Sequence, residues 1–182
     1  GAVVLAPIDR IEALPRGRAA RQDGGVYRME ASGDTRWFAA THGPHSGKTL
    51  FHPANVRLWR AERRGEGIEM APDDHRPAKP IAFFGARACD VAAVLIQDRT
   101  LAEGAMADPV YAARRASAFI VAAHCAEPAR VCFCASMDAG PRARTGFDLA
   151  LGELLDATGH RFLVEVGSAA GADLIDGLGL AP

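Results

Sequence analysis

Short apolar runs alternate with helix-like segments from Pro80 onward, and this alternation most constrains the fold. Apolar segments bounded by turn residues predict strands, and segments with a helical spacing of apolar residues predict helices. Strands are predicted at 81–85, 119–123 and 162–166, and helices at 90–98, 109–117, 147–158 and 173–178. Such alternation predicts a largely parallel sheet that is covered on both faces by helices.

The first 78 residues have a different pattern. Short β-rich or alternating segments at 2–6, 26–30 and 35–39 are punctuated by Gly and Pro, and the charged, Pro-containing stretch 60–79 is typical of a connecting loop. We therefore predict an α/β protein with a smaller β-rich N-terminal lobe at 1–78. The mostly parallel sheet with its flanking helices lies in a cysteine-bearing lobe at 79–182. The alternative is one compact domain.

Four cysteines, Cys89, Cys125, Cys132 and Cys134, follow apolar strand-like runs. Three of them lie within ten residues in a polar, turn-rich stretch. In open α/β sheets, sites form beyond the carboxyl ends of the strands. If the strands before Cys89 and Cys125 are neighbours, the cysteines converge. Four thiolates can complete a tetrahedral zinc site or hold a 4Fe-4S cluster.

Other uses of the four cysteines remain open. A free cysteine is often a small buried hydrophobe, so core packing without a metal is one alternative, and a reactive thiol is another. A disulfide is disfavoured because nothing in the sequence resembles a secretory signal. The spacing C-x6-C-x-C with one remote cysteine matches neither the paired zinc pattern nor the ferredoxin run. The spacing therefore predicts a site without naming its metal.

Four residues beside the cysteines have individual interpretations. Arg87 next to a reduced cluster would stabilise the added negative charge, whereas Asp90 is placed to cap the helix that begins there. His124 precedes Cys125 and could ligate the metal or, from the shell around the ligands, hydrogen-bond sulfur. Because adjacent residues of an extended chain point to opposite sides, a core or surface histidine that points away from the site is favoured. By the same alternation, Phe133 is expected to pack inward.

Composition excludes two classes of partner. The formal net charge of -1 leaves no electrostatic footprint for nucleic acid. No apolar stretch approaches the roughly 20 residues of a membrane span. The composition is that of an intracellular protein, so we predict a cytoplasmic location.

A stretch at 43–49, Gly-Pro-His-Ser-Gly-Lys-Thr, resembles a phosphate-binding loop. The motif requires a glycine where this chain has His42, and Pro44 removes a backbone donor from a loop that has to present N–H groups to phosphate. Pro53 also argues against the long helix that should follow. A nucleotide-binding module is thus a weak alternative, and a surface loop is favoured.

Several blocks occur in a fixed order along the chain: FFGARACDVAA at 83–93, DPVYAARR at 108–115, HCAEP at 124–128, CFCASM at 132–137 and GFDLAL at 146–151. Together they resemble the iron-sulfur β subunit family of sulfhydrogenases, which includes the A subunit of anaerobic sulfite reductases. Shorter blocks, GPHS, LFHP and RLWR, resemble its N-terminal part.

The resemblance implies a non-catalytic electron-transfer subunit that uses 4Fe-4S clusters. Its partners would be a flavin- and NAD(P)-binding subunit and a hydrogenase or reductase catalytic subunit. Members of the family continue into a ferredoxin-like region with two C-x2-C-x2-C-x3-C-P runs, and this sequence has none. The chain therefore resembles the part upstream of that region, with at most one site, built from Cys89, Cys125, Cys132 and Cys134.

Two functional hypotheses follow. In the first, the four cysteines hold an iron-sulfur cluster and the chain is an electron-transfer subunit or a fragment of one. In the second, the chain is a non-catalytic structural or interaction domain whose cysteines bind zinc or remain metal-free.

Overall fold

The computed structural model describes residues 18–23, 26–31, 33–39, 47–72, 80–157 and 159–179. Its strands are β1 (Arg18–Asp23), β2 (Val26–Ala31), β3 (Trp59–Arg64), β4 (Gly67–Pro72), β5 (Ile81–Ala86), β6 (Ala118–Ala123), β7 (Leu149–Asp156) and β8 (Gly159–Val166). Its helices are α1 (Lys48–Phe51), α2 (Ala88–Gln97), α3 (Pro109–Ala116) and α4 (Ala169–Leu178), and one π-helical turn follows α2 at Asp98–Ala102.

A four-stranded sheet in the order β5-β6-β7-β8 organises the second half of the chain. The pairs β5–β6 and β6–β7 are parallel, and β7–β8 is antiparallel. The apolar run of β6 is buried from Ile120 to Ala123, as a strand with a neighbour on each side requires. The predicted α/β class is confirmed: a mostly parallel sheet with flanking helices, accompanied by smaller antiparallel sheets.

Helices α2 and α3 pack around one aromatic cluster. Val91 and Val94 lie on the buried face of α2, and Tyr111 is the buried residue of α3. The Tyr111 ring lies 6.1 Å from that of Phe51, which lies 6.3 Å from that of Phe83 in β5. The core thus joins the short helix α1 to the main sheet. Among the described residues, no helix combines the length and the apolar character that crossing a bilayer requires.

The predicted helix at 147–158 is wrong, because Leu149–Asp156 is strand β7. Leu, Ala and Glu favour a helix when the segment stands alone. In the folded chain the backbone of this segment pairs with β6 on one side and β8 on the other. Leu149 and Ala150 are buried there. Long-range pairing therefore overrides the local preference.

Two predictions for the first lobe are also corrected. The stretch 60–79 was expected to be a loop, but Trp59–Arg64 and Gly67–Pro72 form an antiparallel hairpin. The segment 35–39 is irregular rather than a strand. The predicted strand at 26–30 is confirmed by β2, and the predicted strand at 2–6 lies outside the described residues.

The irregular segment 33–39 lies against the main sheet. Phe38 is buried, with its ring 6.1 Å from the rings of both Phe84 in β5 and Phe162 in β8. The backbone N–H groups of Trp37 and Phe38 donate to the carboxylate of Glu153 in β7 at 2.6 and 2.8 Å. Residues of the predicted first lobe therefore belong to the core of the second.

Candidate functional site

The candidate site lies where strands β5 and β6 end. Helix α2 begins directly after β5, and a segment without helix or strand, residues 124–148, follows β6. Because β5 and β6 are parallel neighbours, both sets of residues leave the same edge of the sheet. Loops of this length inside a domain are uncommon and are usually either functional or disordered linkers. We call residues 124–148 the cysteine loop, since it holds Cys125, Cys132 and Cys134.

Cys89 lies in the first turn of α2 and is half-buried. The carboxylate of the next residue, Asp90, accepts the backbone N–H of Arg87 at 2.9 Å, which confirms the predicted capping role. The pKa of the Cys89 thiol is raised to about 11, first by burial and then by the nearby charges of Asp90 and Cys134. Metal binding here would have to release a tightly held proton.

Arg87 is the most buried charged residue of the site, at 3% exposure. Its guanidinium donates to the backbone carbonyl of Phe38 at 2.8 Å and to that of His124 at 3.2 Å. Burial lowers the pKa of Arg87, and the negative charge available at Cys125, Asp90 and Cys89 opposes this shift. The buried Arg87 guanidinium therefore interacts electrostatically with Cys89 and Cys125, two of the predicted ligands.

One backbone hydrogen bond folds the cysteine loop on itself, and Gly140 packs it close to the start of α2. The N–H of Cys125 donates to the carbonyl of Pro141 at 3.1 Å. A Cβ atom placed on Gly140 would lie 3.3 Å from Ala88 Cβ and 3.3 Å from Cys134 Sγ. Glycine at this position therefore leaves room for the close approach of Cys134 to the first turn of α2.

Cys132 is the outlying member of the set. It is exposed, and its sulfur accepts the backbone N–H of Ala129 at 3.2 Å. The prediction that Phe133 packs inward is wrong, because its ring is 68% exposed. The chain here is a series of turns, so the alternation expected of an extended C-x-C segment does not operate.

The His124 side chain contacts strands β7 and β8. Its Nε2 lies 3.0 Å from a carboxylate oxygen of Glu165 in β8, which also binds Arg142 at 2.7 Å. The ring lies over Gly152, where a Cβ would be 3.6 Å from the imidazole. This placement agrees with the alternation expected along the end of β6.

Glu153 and Gly140 support the site and were not predicted from the sequence. Glu153 holds segment 33–39, whose Phe38 carbonyl accepts from Arg87. Glu153 is one of three acidic residues in a helix-like stretch, and nothing in the local sequence distinguishes it. Gly140 precedes Pro141, a pair typical of turns, and that signal was available.

The four cysteines have thiols free of disulfides, and their donor chemistry suits zinc or an iron-sulfur cluster. In the part of the chain that the structure describes, however, no three Cys, His, Asp or Glu side chains are grouped closely enough to hold a metal ion. The structure thus brings Cys89, Cys125 and Cys134 to one edge of the sheet and leaves Cys132 at its periphery.

The stretch resembling a phosphate-binding loop lies mostly outside the described residues. Lys48–Phe51, which follows it, is a single helical turn. Gly47 is buried, and a Cβ there would overlap the ring of Phe83. Core packing against Phe83 accounts for this glycine without a nucleotide.

The fold and the cysteine loop define a class of protein: an α/β domain that carries four free thiols around the carboxyl ends of two parallel strands. Comparison with known proteins adds one relative. Over 93 residues, 51% of this chain, the sequence is 38% identical to sulfhydrogenase 2 subunit beta of Pyrococcus furiosus. The aligned stretch covers 26% of the length of that relative. No family model and no solved structure matches the chain.

Proposed function

We propose that this chain is an electron-transfer component of a multisubunit hydrogenase or of a sulfur or sulfite reductase, and that its four cysteines hold a 4Fe-4S cluster. The observation that carries the proposal is the buried Arg87 guanidinium, which lies two residues before Cys89 and donates to the backbone carbonyl of His124, the residue before Cys125. The similarity to a sulfhydrogenase β subunit supports the same function.

The proposed ligands are Cys89, Cys125, Cys132 and Cys134. A bound cluster would supply one-electron transfer. The contribution of the chain itself is electrostatic: Arg87 would offset part of the negative charge that four thiolates bring to the edge of the sheet. Burial of a charge is costly unless it is compensated, so Arg87 and the thiolates would stabilise each other. Closure of the site requires the turns at 129–139 to move Cys132 and Cys134 toward Cys89.

The proposed partners are a flavin- and NAD(P)-binding subunit and a hydrogenase or reductase catalytic subunit. The chain offers no catalytic role of its own in this proposal. The cytoplasmic location expected from composition stays a prediction.

A second candidate is a structural or interaction domain whose cysteines bind zinc or nothing. The exposure of Cys132 and the lack of a closed metal-binding group among the described residues favour this candidate. It predicts a colourless protein.

The deciding experiment is metal analysis of protein purified without oxygen. Iron, acid-labile sulfide and zinc per chain would be measured for the wild type and for Cys89→Ser and Cys132→Ser. Ser136→Ala, an exposed position in the same loop, is the matched control. About four irons and four sulfides, lost in both cysteine variants and kept in the control, would support the cluster. Stoichiometric zinc or metal-free protein would contradict the cluster and support the second candidate.

A further inference from the structure

Among the described residues, strand β8 forms an open, apolar edge of the main sheet. In the described sheet it pairs only with β7, and its register with β7 is unbroken over all eight residues. Four large apolar side chains of β8 are at least one-third exposed: Phe162, Leu163, Val164 and Val166. Natural edge strands are usually protected by charged side chains, above all lysine, by proline, by a bulge or by a covering element. The sequence of β8 has no lysine or proline and its pairing shows no bulge; its charged side chains, Arg161 and Glu165, are of opposite sign.

The backbone groups at this edge can be assigned. The N–H of Gly167 donates to the carbonyl of Asp148 at 2.9 Å, directly beyond the end of the β7–β8 ladder. In an antiparallel ladder, residues alternate between those that bond to one neighbour and those that bond to the other side. The odd-numbered residues of β8 therefore bond to β7. The N–H and C=O groups of His160, Phe162, Val164 and Val166 face the open edge.

The side chains of β8 match a second copy of the same strand. If two copies pair antiparallel about a two-fold axis at Leu163, Arg161 of each copy lies opposite Glu165 of the other, on the same face of the sheet. On the other face, Phe162 lies opposite Val164. A shift of the axis to Phe162 or to Val164 would place a charged residue opposite Leu163 instead. Opposite charges and apolar pairs across strands stabilise a sheet, so one register is favoured.

The charged residues keep their present contacts in this arrangement. Arg161 contacts Asp156 at 2.6 Å through one amino group, and its side chain is 56% exposed, so other N–H groups of its guanidinium stay available. Glu165 accepts from His124 and Arg142 on its own chain. A carboxylate has about four lone-pair directions and can accept a further donor.

We propose that the partner of this edge is a second copy of the chain, joined through β8 in an antiparallel, two-fold pair centred on Leu163. The product is an isologous dimer with one continuous eight-stranded sheet. Main-chain hydrogen bonds supply the pairing, and the exposed apolar side chains and the Arg161–Glu165 pairs select the register. The inference does not depend on the cysteines, so it stands or fails separately from the proposed function.

Sedimentation equilibrium of the whole chain over a range of concentrations tests the dimer. The wild type should dimerise, and Leu163→Lys should be monomeric, because the axis would bring two ammonium groups together. Ile68→Lys is the matched control, since Ile68 is exposed to a similar degree on hairpin β3–β4. Circular dichroism and the midpoint of urea unfolding show whether each variant is folded. A monomeric wild type, or a dimer lost in Ile68→Lys and kept in Leu163→Lys, would overturn the proposal.

Cross-linking tests the register without any loss of folding. A non-hydrogen-bonded pair places its Cα atoms about 4.5 Å apart, within the range of a disulfide. Leu163→Cys should form a disulfide-linked dimer under mild oxidation, to a much greater extent than the wild type with its native thiols. Val166→Cys, equally exposed but remote from its own copy in this register, should not exceed the wild type. Equal cross-linking by both variants would contradict the register.

Discussion

The carboxylate of Glu153 accepts several hydrogen bonds, and this role can be tested by replacing one of its oxygens with a nitrogen. Its side chain is 3% exposed and accepts from the N–H groups of Trp37 and Phe38 and from His160 Nε2 at 2.6 Å. Glu153→Gln replaces one acceptor by a donor that faces other donors. We expect the variant to lose about 1–3 kcal/mol of unfolding free energy, measured by urea denaturation.

The control for Glu153 is Glu62→Gln. Glu62 forms an exposed ion pair with Arg60 at 3.1 Å, and such pairs contribute about 0–1 kcal/mol. Equal losses in the two variants would contradict the role assigned to Glu153, because the change from carboxylate to amide alone would then explain the effect.

At the residue scale, local chemistry could be predicted and orientation in the loop could not. The capping of α2 by Asp90 depends on residues three positions apart, so its signal is contained in the sequence. The direction of Phe133 depends on how the cysteine loop turns over the sheet. That path is set by long-range contacts such as Cys125 N–H to the carbonyl of Pro141. Alternation along an extended chain carries no information about such contacts.

Helix α4 provides a matched pair of glycines on one element. A Cβ on Gly171 would overlap the carbonyl oxygen of Asp148, whereas a Cβ on Gly177 meets nothing within 4 Å. We expect Gly171→Ala to lower the unfolding free energy by about 1–3 kcal/mol through overpacking. Gly177→Ala should raise it by about 0.4–1 kcal/mol, because alanine loses less backbone entropy on folding.

Thermal and urea unfolding of both alanine variants measure the difference. Opposite signs are the expected result. If both variants were stabilised, α4 would not pack through Gly171 onto the segment that precedes β7.

The hairpin β3–β4 should open more readily than the main sheet. Every residue from Trp59 to Met70 is exposed, and an isolated two-stranded hairpin is at best marginally stable in water. Native-state hydrogen exchange should therefore show the amides of β3 and β4 exchanging far faster than those of β6, which is central and buried. Slow exchange of these amides in the isolated chain would show that another part of the protein, or a second copy, covers the hairpin in solution.

The sequence signals of these elements differ in kind. The hairpin could have been predicted: Trp59, Ala61, Ile68 and Met70 share one face, and a turn at Gly65 separates the two alternating runs. The many charged residues of the 60–79 stretch predict a loop, and they mask the alternation of residues that is typical of a strand. Strand β7 gave no comparable signal, because its residues favour a helix and its strand conformation depends on partners that lie elsewhere in the chain.

At the scale of the whole molecule, the order of strands and helices from Ile81 onward predicted the fold class, since apolar strands buried on both faces require flanking layers. The boundary near residue 78 followed from a change of pattern along the chain. Pattern alone does not show which distant side chains enter a core. Phe38 and Phe51 are buried against elements of the second half, so we favour the alternative of one compact domain.

Removal of the first half of the chain tests this organisation. A fragment of residues 80–182 would expose the surfaces that Phe38 and Phe51 cover, each worth about 1.5–3 kcal/mol. Together these losses, about 3–6 kcal/mol, reach the lower end of the stability of a typical domain, about 5–15 kcal/mol. We expect this fragment to unfold without cooperativity and to bind a hydrophobic dye, whereas a fragment of residues 33–182, which keeps both side chains, unfolds in one transition.

Cooperative unfolding of 80–182 would instead favour two independent lobes. The midpoint and slope of urea unfolding for the two fragments decide between these outcomes, because the slope measures the surface exposed in each transition.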